Sequence, residues 1–313
     1  MKRTENDNKP GGFIAIDKPS DMTSHDVVFR ARKLFYTARV GHTGTLDPMA
    51  TGVLVLLVGR AAKACEYISK DKKVYIATLR LGYETDTQDV TGNIVSDTVY
   101  TTENYTFPTL ETMREVCKSF TGRIIQIPPM YSALKVDGRK LCDLAREGKT
   151  VERAGREIEI FSIDVDPTAS PCDFKLTVAC SGGTYIRTLC EDIGKSIGCG
   201  AVMATLRRAE ASGIDISRSF TLEELSEMTE EQRWEKIIPT EEIFTNYRSL
   251  RLSAFYEKLY RDGCPIYLKK IGVEYPVGER LRVKGADGEF FSLGDVIDTP
   301  DGAAVKSIKI FNL

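Results

Sequence analysis

Arg39-Val40-Gly41-His42-Thr43-Gly44-Thr45-Leu46-Asp47-Pro48-Met49-Ala50-Thr51-Gly52, continuing through Val53-Leu54-Val55-Leu56-Leu57-Val58 to Gly59-Arg60-Ala61-Ala62-Lys63, is the stretch that orders the rest of the chain. Three glycines, one of the two histidines and a single acid stand ahead of an unbroken apolar run. Gly41, Gly44 and Gly52 permit positive φ or close backbone approach, and Pro48 fixes φ directly after the acid, so Asp47 is expected on a rigid turn. The run from Val53 to Val58 has no polar alternation and reads as a strand covered on both faces. A glycine-rich turn with an aspartate is most often only a turn, because Asp bonds its own backbone. The other reading is a carboxylate held at the edge of a core for chemistry.

Outward from this stretch, 313 residues suffice for a sizeable core and suggest two domains, or one large domain with a module. A hydrophobic fraction of 42% and a charged fraction of 28% are those of an ordinary soluble protein. Glu5 and Asp7 follow Lys2 and Arg3 with no apolar stretch behind them, so no signal peptide is read. The longest aliphatic run is Val53 to Val58, so no membrane span is read either. Eight cysteines occur without a CxxC pair, and His25 and His42 lie far upstream, so zinc spacing is absent. Reduced thiols and a cytoplasmic location are the expectation. The formal charge of −2 argues mildly against a nucleic-acid binder, but its distribution is uneven. Residues 1–73 hold 13 Lys/Arg against 8 Asp/Glu, whereas residues 221–242 hold 2 against 8, so a basic face is permitted.

Taken in order, Gly12 to Ile16 reads as a strand stopped by Asp17-Lys18-Pro19-Ser20, and Thr23 or Ser24 caps a helix running to about Tyr36. On that helix Arg30 and Lys33, with Arg32 and Arg39, form a candidate phosphate-contacting surface, although such a charge run is more often a solvated face. Arg60 to Ile68 suits a helix, Lys73 to Leu81 a second long strand, residues 85–92 a polar turn, and Thr109 to Phe120 an amphipathic helix. Residues 122–150 mix Pro, Gly, basic residues and Tyr131 and read as an exposed loop able to grip a polyanion. Asp173 to Cys180 is a strand running into a helix whose buried stripe is Ile186, Leu189, Cys190, Ile193 and Ile197. Ala201 to Leu206 reads as a short strand followed by Arg207-Arg208, and residues 221–236 as an acidic helical region. From about Arg248 a helix and short strands follow, separated by turns at Asp287-Gly288 and Asp301-Gly302.

The segment from Gly41 to Lys63 resembles the signature loop of the TruB family of tRNA pseudouridine synthases, and further pieces recur in the family's order along almost the whole chain. The resemblance implies an α+β fold with a mixed, largely antiparallel central sheet and flanking helices over residues 1–247. A small β-rich PUA-like RNA-binding domain is implied over 248–313, on a weaker match at Phe290-Phe291-Ser292-Leu293-Gly294. It implies Asp47 as the catalytic carboxylate, Arg187 as its ion-pair partner and Tyr75 as the platform on which the target base stacks. Tyr185, Lys18 and the apolar Leu206 would frame the pocket. His42 would fill the gap left by a flipped base. RNA contacts are expected from Lys63, Lys135, Arg139, Lys140, Arg207 and Arg208. One departure occurs at Cys142, where many members carry tyrosine, which puts a packing or RNA contact in doubt.

The implied reaction breaks the bond between ribose and N1 of uracil, turns the base, and rejoins it through C5 in the T-loop of tRNA at position 55. It needs no oxidation, so no cofactor and no metal are expected, and the partner is the tRNA T-stem-loop, bound by a monomer. The protein must supply a dry pocket, one carboxylate, and a cation that keeps it ionised; a cation within about 4–6 Å lowers a carboxylate's pKa by roughly 1–3 units. Whether Asp47 attacks C1′, attacks the base or takes a proton from C2′ is not written in the residues; proton abstraction through a glycal is the reading favoured here. Extruding the base costs on the order of a few kcal/mol, and stacking returns roughly 1–3 kcal/mol. Two rivals stand beside this: a non-catalytic RNA-binding or RNA-folding protein, and a hydrolase of the ribose bond. The second usually needs another positioned carboxylate, and the loop offers only Asp47.

Overall fold

The computed structural model of the chain describes residue 6 and residues 11–68, 72–101, 105–136 and 138–311. The apolar run becomes strand Thr51–Val58, buried from Gly52 onward. It pairs antiparallel with Gly12–Lys18 on one side, and on the other runs parallel to Ala201–Ala211 at Thr51 and Gly52. Around it forms a ten-stranded sheet. Beyond Ala201–Ala211 the order continues through Lys73–Leu81, Asp173–Cys180, Arg156–Pro167 and the edge strand Gly122–Gln126, every one of these pairings antiparallel. This is the mixed, largely antiparallel sheet expected from the sequence.

The covering of both faces explains why residues 53–58 show no alternation. Leu54, Leu56 and Val58 join a core with Val27, Val28 and Ala31 of helix Ser24–Leu34, Met113 and Cys117 of helix Leu110–Ser119, and Leu189 and Ile193 of helix Ile186–Ile197. Val53, Val55 and Leu57 face the other way, onto Phe13, Ala61, Ile68, Phe244, Phe290 and Phe311. Two of these last aromatics belong to or follow a second, five-stranded sheet, which contains Ser249–Arg251, Arg280–Lys284, Phe290–Ile297, Ala304–Ile310 and Ile266–Tyr267. That sheet has its own core of Leu250, Leu281, Val283, Phe291, Val296 and Val305, closed by Tyr260 of helix Ala254–Arg261. It is fixed to the first sheet by the rings of Phe244, Phe290 and Phe311, whose centroids lie 5.4–6.0 Å apart.

Several boundaries move. The strand expected to stop at Leu206 runs to Ala211, which puts Arg207 and Arg208 inside it and on opposite faces. Residues 122–126 are a sheet edge, not loop, so the insertion begins at Ile127. The segment after Gly59 is a 3₁₀ turn over Gly59–Ala64 before a single α-turn Cys65–Ile68, and the acidic region splits into Leu222–Glu227 and Glu230–Glu235. Among the described residues no helix is long and apolar enough to cross a membrane.

Candidate active site

Asp47 sits on a loop tied down at every turn. Thr43 N donates to Val55 O at 3.1 Å. Ser24 Oγ donates to Leu46 O at 3.1 Å and accepts from Leu46 N at 2.8 Å. Immediately after Asp47, Pro48 O accepts from Lys18 Nζ at 3.0 Å, and the same ammonium donates to Pro19 O and Met22 O. Lys18 is fully buried, and desolvation brings its pKa down to about 8. Gly52 has φ +103°, and a Cβ there would lie 2.2 Å from Arg208 O, so only glycine lets the parallel strands approach. Of the three loop glycines, Gly41 and Gly44 are under no such constraint: neither has positive φ and a Cβ would meet nothing closer than 3.6 Å.

The carboxylate meets Arg187 in a two-point ion pair. Arg187 Nε lies 2.9 Å from Asp47 Oδ2, and Nη2 lies 3.0 Å from Oδ1. Helix Ile186–Ile197 begins one residue earlier and carries the guanidinium in its first turn. Its remaining donors go to Thr87 O at 3.1 Å and Tyr131 O at 2.8 Å, and Asp89 Oδ2 stands 3.8 Å from Nη1. The Arg187 side chain is 6% exposed, whereas that of Asp47 keeps 31%, so the carboxylate has an open edge facing outward from a closed base. Arg187 was expected to hold Asp47 below the ordinary range. Burial outweighs it: desolvation raises the Asp47 pKa, Arg187 opposes the rise, and the negative Asp89 adds to it.

Tyr75, Tyr185 and Lys18 lie within electrostatic reach of Asp47. Tyr75 points into the core side of strand Lys73–Leu81 and is 7% exposed; burial raises its phenol's pKa, against the nearby Arg208. Tyr185 is half-buried, caps the helix start, and exchanges backbone hydrogen bonds with the Gln126 side chain at 2.8 and 3.0 Å. Leu206 is buried in the same core cluster as Tyr75. His42 ends strand Val40–His42, and burial lowers its pKa, which favours the neutral ring.

The expected RNA contacts divide. Lys135, Arg139 and Lys140 lie on the hairpin of the insertion, Lys135 and Lys140 exposed and Arg139 ion-paired with Glu147. Arg207 is held two-point by Asp17 at 2.8 and 3.2 Å, with 41% of its side chain still open to solvent. Arg208 is a correction: it is 1% exposed, its Nε on Val53 O at 2.7 Å and Nη2 on Gly44 O at 3.0 Å, so it braces the Asp47 loop from beneath instead of offering charge to a phosphate. The backbone of Lys63 lies in the 3₁₀ turn; its side chain is outside the described residues. Cys142 is the second residue of the short helix Leu141–Arg146 in the insertion, and its N–H donates to Ser132 O at 3.1 Å.

Sequence reading missed Asp89 and the carbonyls of Thr87 and Tyr131. The signal available for the first was a turn dense in Asp and Thr. Asp89 accepts from Thr87 Oγ1 at 2.8 Å and Thr91 N at 2.9 Å, as a turn aspartate does, while its other oxygen faces Arg187. Among the described residues no group of three or more His, Cys, Asp or Glu side chains could hold a metal ion.

A model of the TruB family pseudouridylate synthase N-terminal domain matches residues 32–186, and one of the tRNA pseudouridylate synthase B C-terminal domain matches residues 187–245. The chain is 40% identical over 309 residues to tRNA pseudouridine synthase B of Geobacter sulfurreducens, covering 96% of this chain and 99% of that one. It is 40% identical over 286 residues to the protein of the same name from Clostridium acetobutylicum, covering 91% and 95%. Among solved structures, the crystal structure of a Cbf5-Nop10-Gar1 complex contains a chain that superposes with a TM-score of 0.71 at 24% identity, over 99% of this chain and 88% of that one. That likeness speaks for the fold. With two family models in tandem and relatives at this identity along nearly their full length, the chain belongs to the TruB family of pseudouridine synthases.

Proposed function

We propose that the chain flips one uridine out of the T-loop of tRNA, at position 55, and isomerises it to pseudouridine with Asp47 as the reacting carboxylate. Membership of the family carries the coarser statement: this is a pseudouridine synthase, an isomerase of uridine in tRNA. The observation that supports Asp47 as the reacting carboxylate is its pair with Arg187, a carboxylate fixed at two points with one edge left open.

A base that takes the C2′ proton gains from raised proton affinity, and burial supplies that to Asp47. In this reading Asp47 takes the C2′ proton, N1 of uracil leaves with the bond's electron pair, and a glycal remains. The base turns, C5 bonds to C1′, the proton on Asp47 returns to C2′, and the hydrogen on C5 is released while N1 gains one. Arg187 holds the carboxylate's orientation through both transfers. Tyr75 offers the stacking face, and the basic hairpin of the insertion and the five-stranded PUA-like sheet hold the RNA.

The test is tritium release from tRNA carrying 5-³H-uridine, with native protein and Asp47→Asn, and binding measured in parallel. Release by the native chain and none by a variant that still binds is expected. If neither releases tritium while both bind, the catalytic reading falls; release from another uridine would move the target away from position 55.

A further inference from the structure

One residue of the turn over 85–92 has a backbone that its type does not favour. Gln88 holds φ at +64°, the left-handed region that glycine and asparagine adopt far more readily than a long side chain. Its side chain is engaged at both ends. Nε2 donates to Glu191 Oε2 at 2.7 Å, and Oε1 accepts from Thr188 Oγ1 at 2.9 Å. Thr188 is the next residue after Arg187 on helix Ile186–Ile197, and Glu191 lies one turn beyond it. The backbone is tied as well: Met203 N donates to Gln88 O at 3.1 Å, and Val90 N to Met203 O at 3.2 Å. Gln88 therefore straps the turn both to the helix that carries Arg187 and to the strand beneath.

Its two chain neighbours are the residues that face the guanidinium, Thr87 through its carbonyl and Asp89 through its carboxylate. We infer that Gln88 is a positioning residue for the isomerisation: its amide locks residues 87–89 to the helix and so fixes the plane of the Arg187 guanidinium against Asp47. This rests on the reading of Asp47 and Arg187 as the reacting centre. A two-point ion pair needs both planes aligned, and an arginine side chain has several torsions to settle. Tyr131 O, the other carbonyl on Arg187, belongs to the root of the insertion, so the strapped turn is the anchored side of the clamp.

The deciding variant is Gln88→Gly, which relieves the left-handed backbone and removes both side-chain bonds. A merely local role predicts unchanged or higher Tm with native turnover. Positioning predicts a kcat lower by about tenfold or more, because displacement of a reacting group by about 1 Å can cost up to 10²-fold. KM stays near native, and the acid limb of the kcat profile moves to higher pH as ionised Asp47 loses its partner. Gln88→Glu combined with Glu191→Gln re-forms both hydrogen bonds, the one between residues 88 and 191 with donor and acceptor exchanged and the one from the Thr188 hydroxyl in its original direction, with the net charge unchanged, and is expected to recover most of kcat. Should the glycine variant not fold, Thr188→Val removes one of the two bonds and predicts a smaller kcat loss in the same direction. Native kcat and pH profile in these variants, or a loss that the exchange leaves unrepaired, overturns the assignment. Asp47→Asn run beside them separates the two levels: its activity would sink the underlying reading, whereas its inactivity beside a fully active Gln88→Gly sinks only the role of Gln88.

Discussion

The chain holds two kinds of ion pair, and they answer to different physics. At the pocket, Arg187 is almost fully buried between Asp47 and Asp89, with its other donors on backbone carbonyls. On the insertion, Arg139 and Lys149 share Glu147, and all three side chains are 43–61% exposed. Water screens the second set, so its members exchange partners freely. The first set has been taken out of water, where a cation left without its carboxylate, or the reverse, is costly. One region fixes a geometry; the other offers charge to whatever polyanion arrives.

The sharpest way to break this contrast is to remove the buried cation. Arg187→Met is expected to lower kcat by on the order of 10²–10³-fold, the range for losing one preorganised electrostatic partner in a dry site, while tRNA affinity changes little. It should also lower Tm, since Asp89 and two carbonyls lose a donor; breaking a buried pair from one side costs about 3–5 kcal/mol. Single-turnover tritium release, with binding measured separately, checks both. Equal turnover would mean that the buried pair is scaffolding only.

How much of this was legible from residues alone follows from the same contrast. Asp47 stood out because a loop of glycines and one acid precedes a doubly covered strand, and because its order matches a known signature. Arg208 did not, because adjacent arginines look alike in sequence; only the continuation of the strand to Ala211 sends one outward to Asp17 and the other beneath the Asp47 loop. Asp89 was hidden by its own turn, since one of its oxygens does what any turn aspartate does. The edge strand Gly122–Gln126 looks like loop in the sequence because its alternation is weak, with Ile125 on the outward face and 68% exposed. The sign of the Asp47 shift depended on depth, which composition does not carry. A cation nearby was legible, and the burial that outweighs it was not.

Asp89 sharpens the comparison from the side of charge. Asp47 has its folded-state pKa raised, so it binds a proton more tightly folded than unfolded, and its ionisation costs stability above that value. Stability is recovered as pH falls through the raised value toward the ordinary carboxylate range, while activity is lost over the same window. The acid limb of kcat/KM is therefore expected above the range of an exposed aspartate. Because Asp89 is among the causes that raise Asp47, Asp89→Asn is expected to move this limb to lower pH while keeping the turn's acceptor for Thr91 N. A limb that stays in place, or moves up, would show that Asp89 acts on Asp47 only by aiming Arg187.

The smallest effects belong to the insertion. Lys149 and Arg139 hold the Glu147 carboxyl below its ordinary range, so Arg139 must exchange one anion for another to reach a phosphate. Among the described residues Lys135 has no such partner to give up. Each phosphate contact contributes about 0.9 to the slope of log K against log salt on a duplex and about 0.7 on a single strand. Lys135→Ala and Arg139→Ala should each make that slope shallower by roughly one contact, with kcat at saturating tRNA unchanged. Glu147→Gln, which frees Arg139, should instead tighten binding a few-fold, most visibly at low salt. If Glu147→Gln weakens binding, the pair is not a reserve of charge but a brace that shapes the hairpin, and the insertion would then resemble the pocket more than it differs from it.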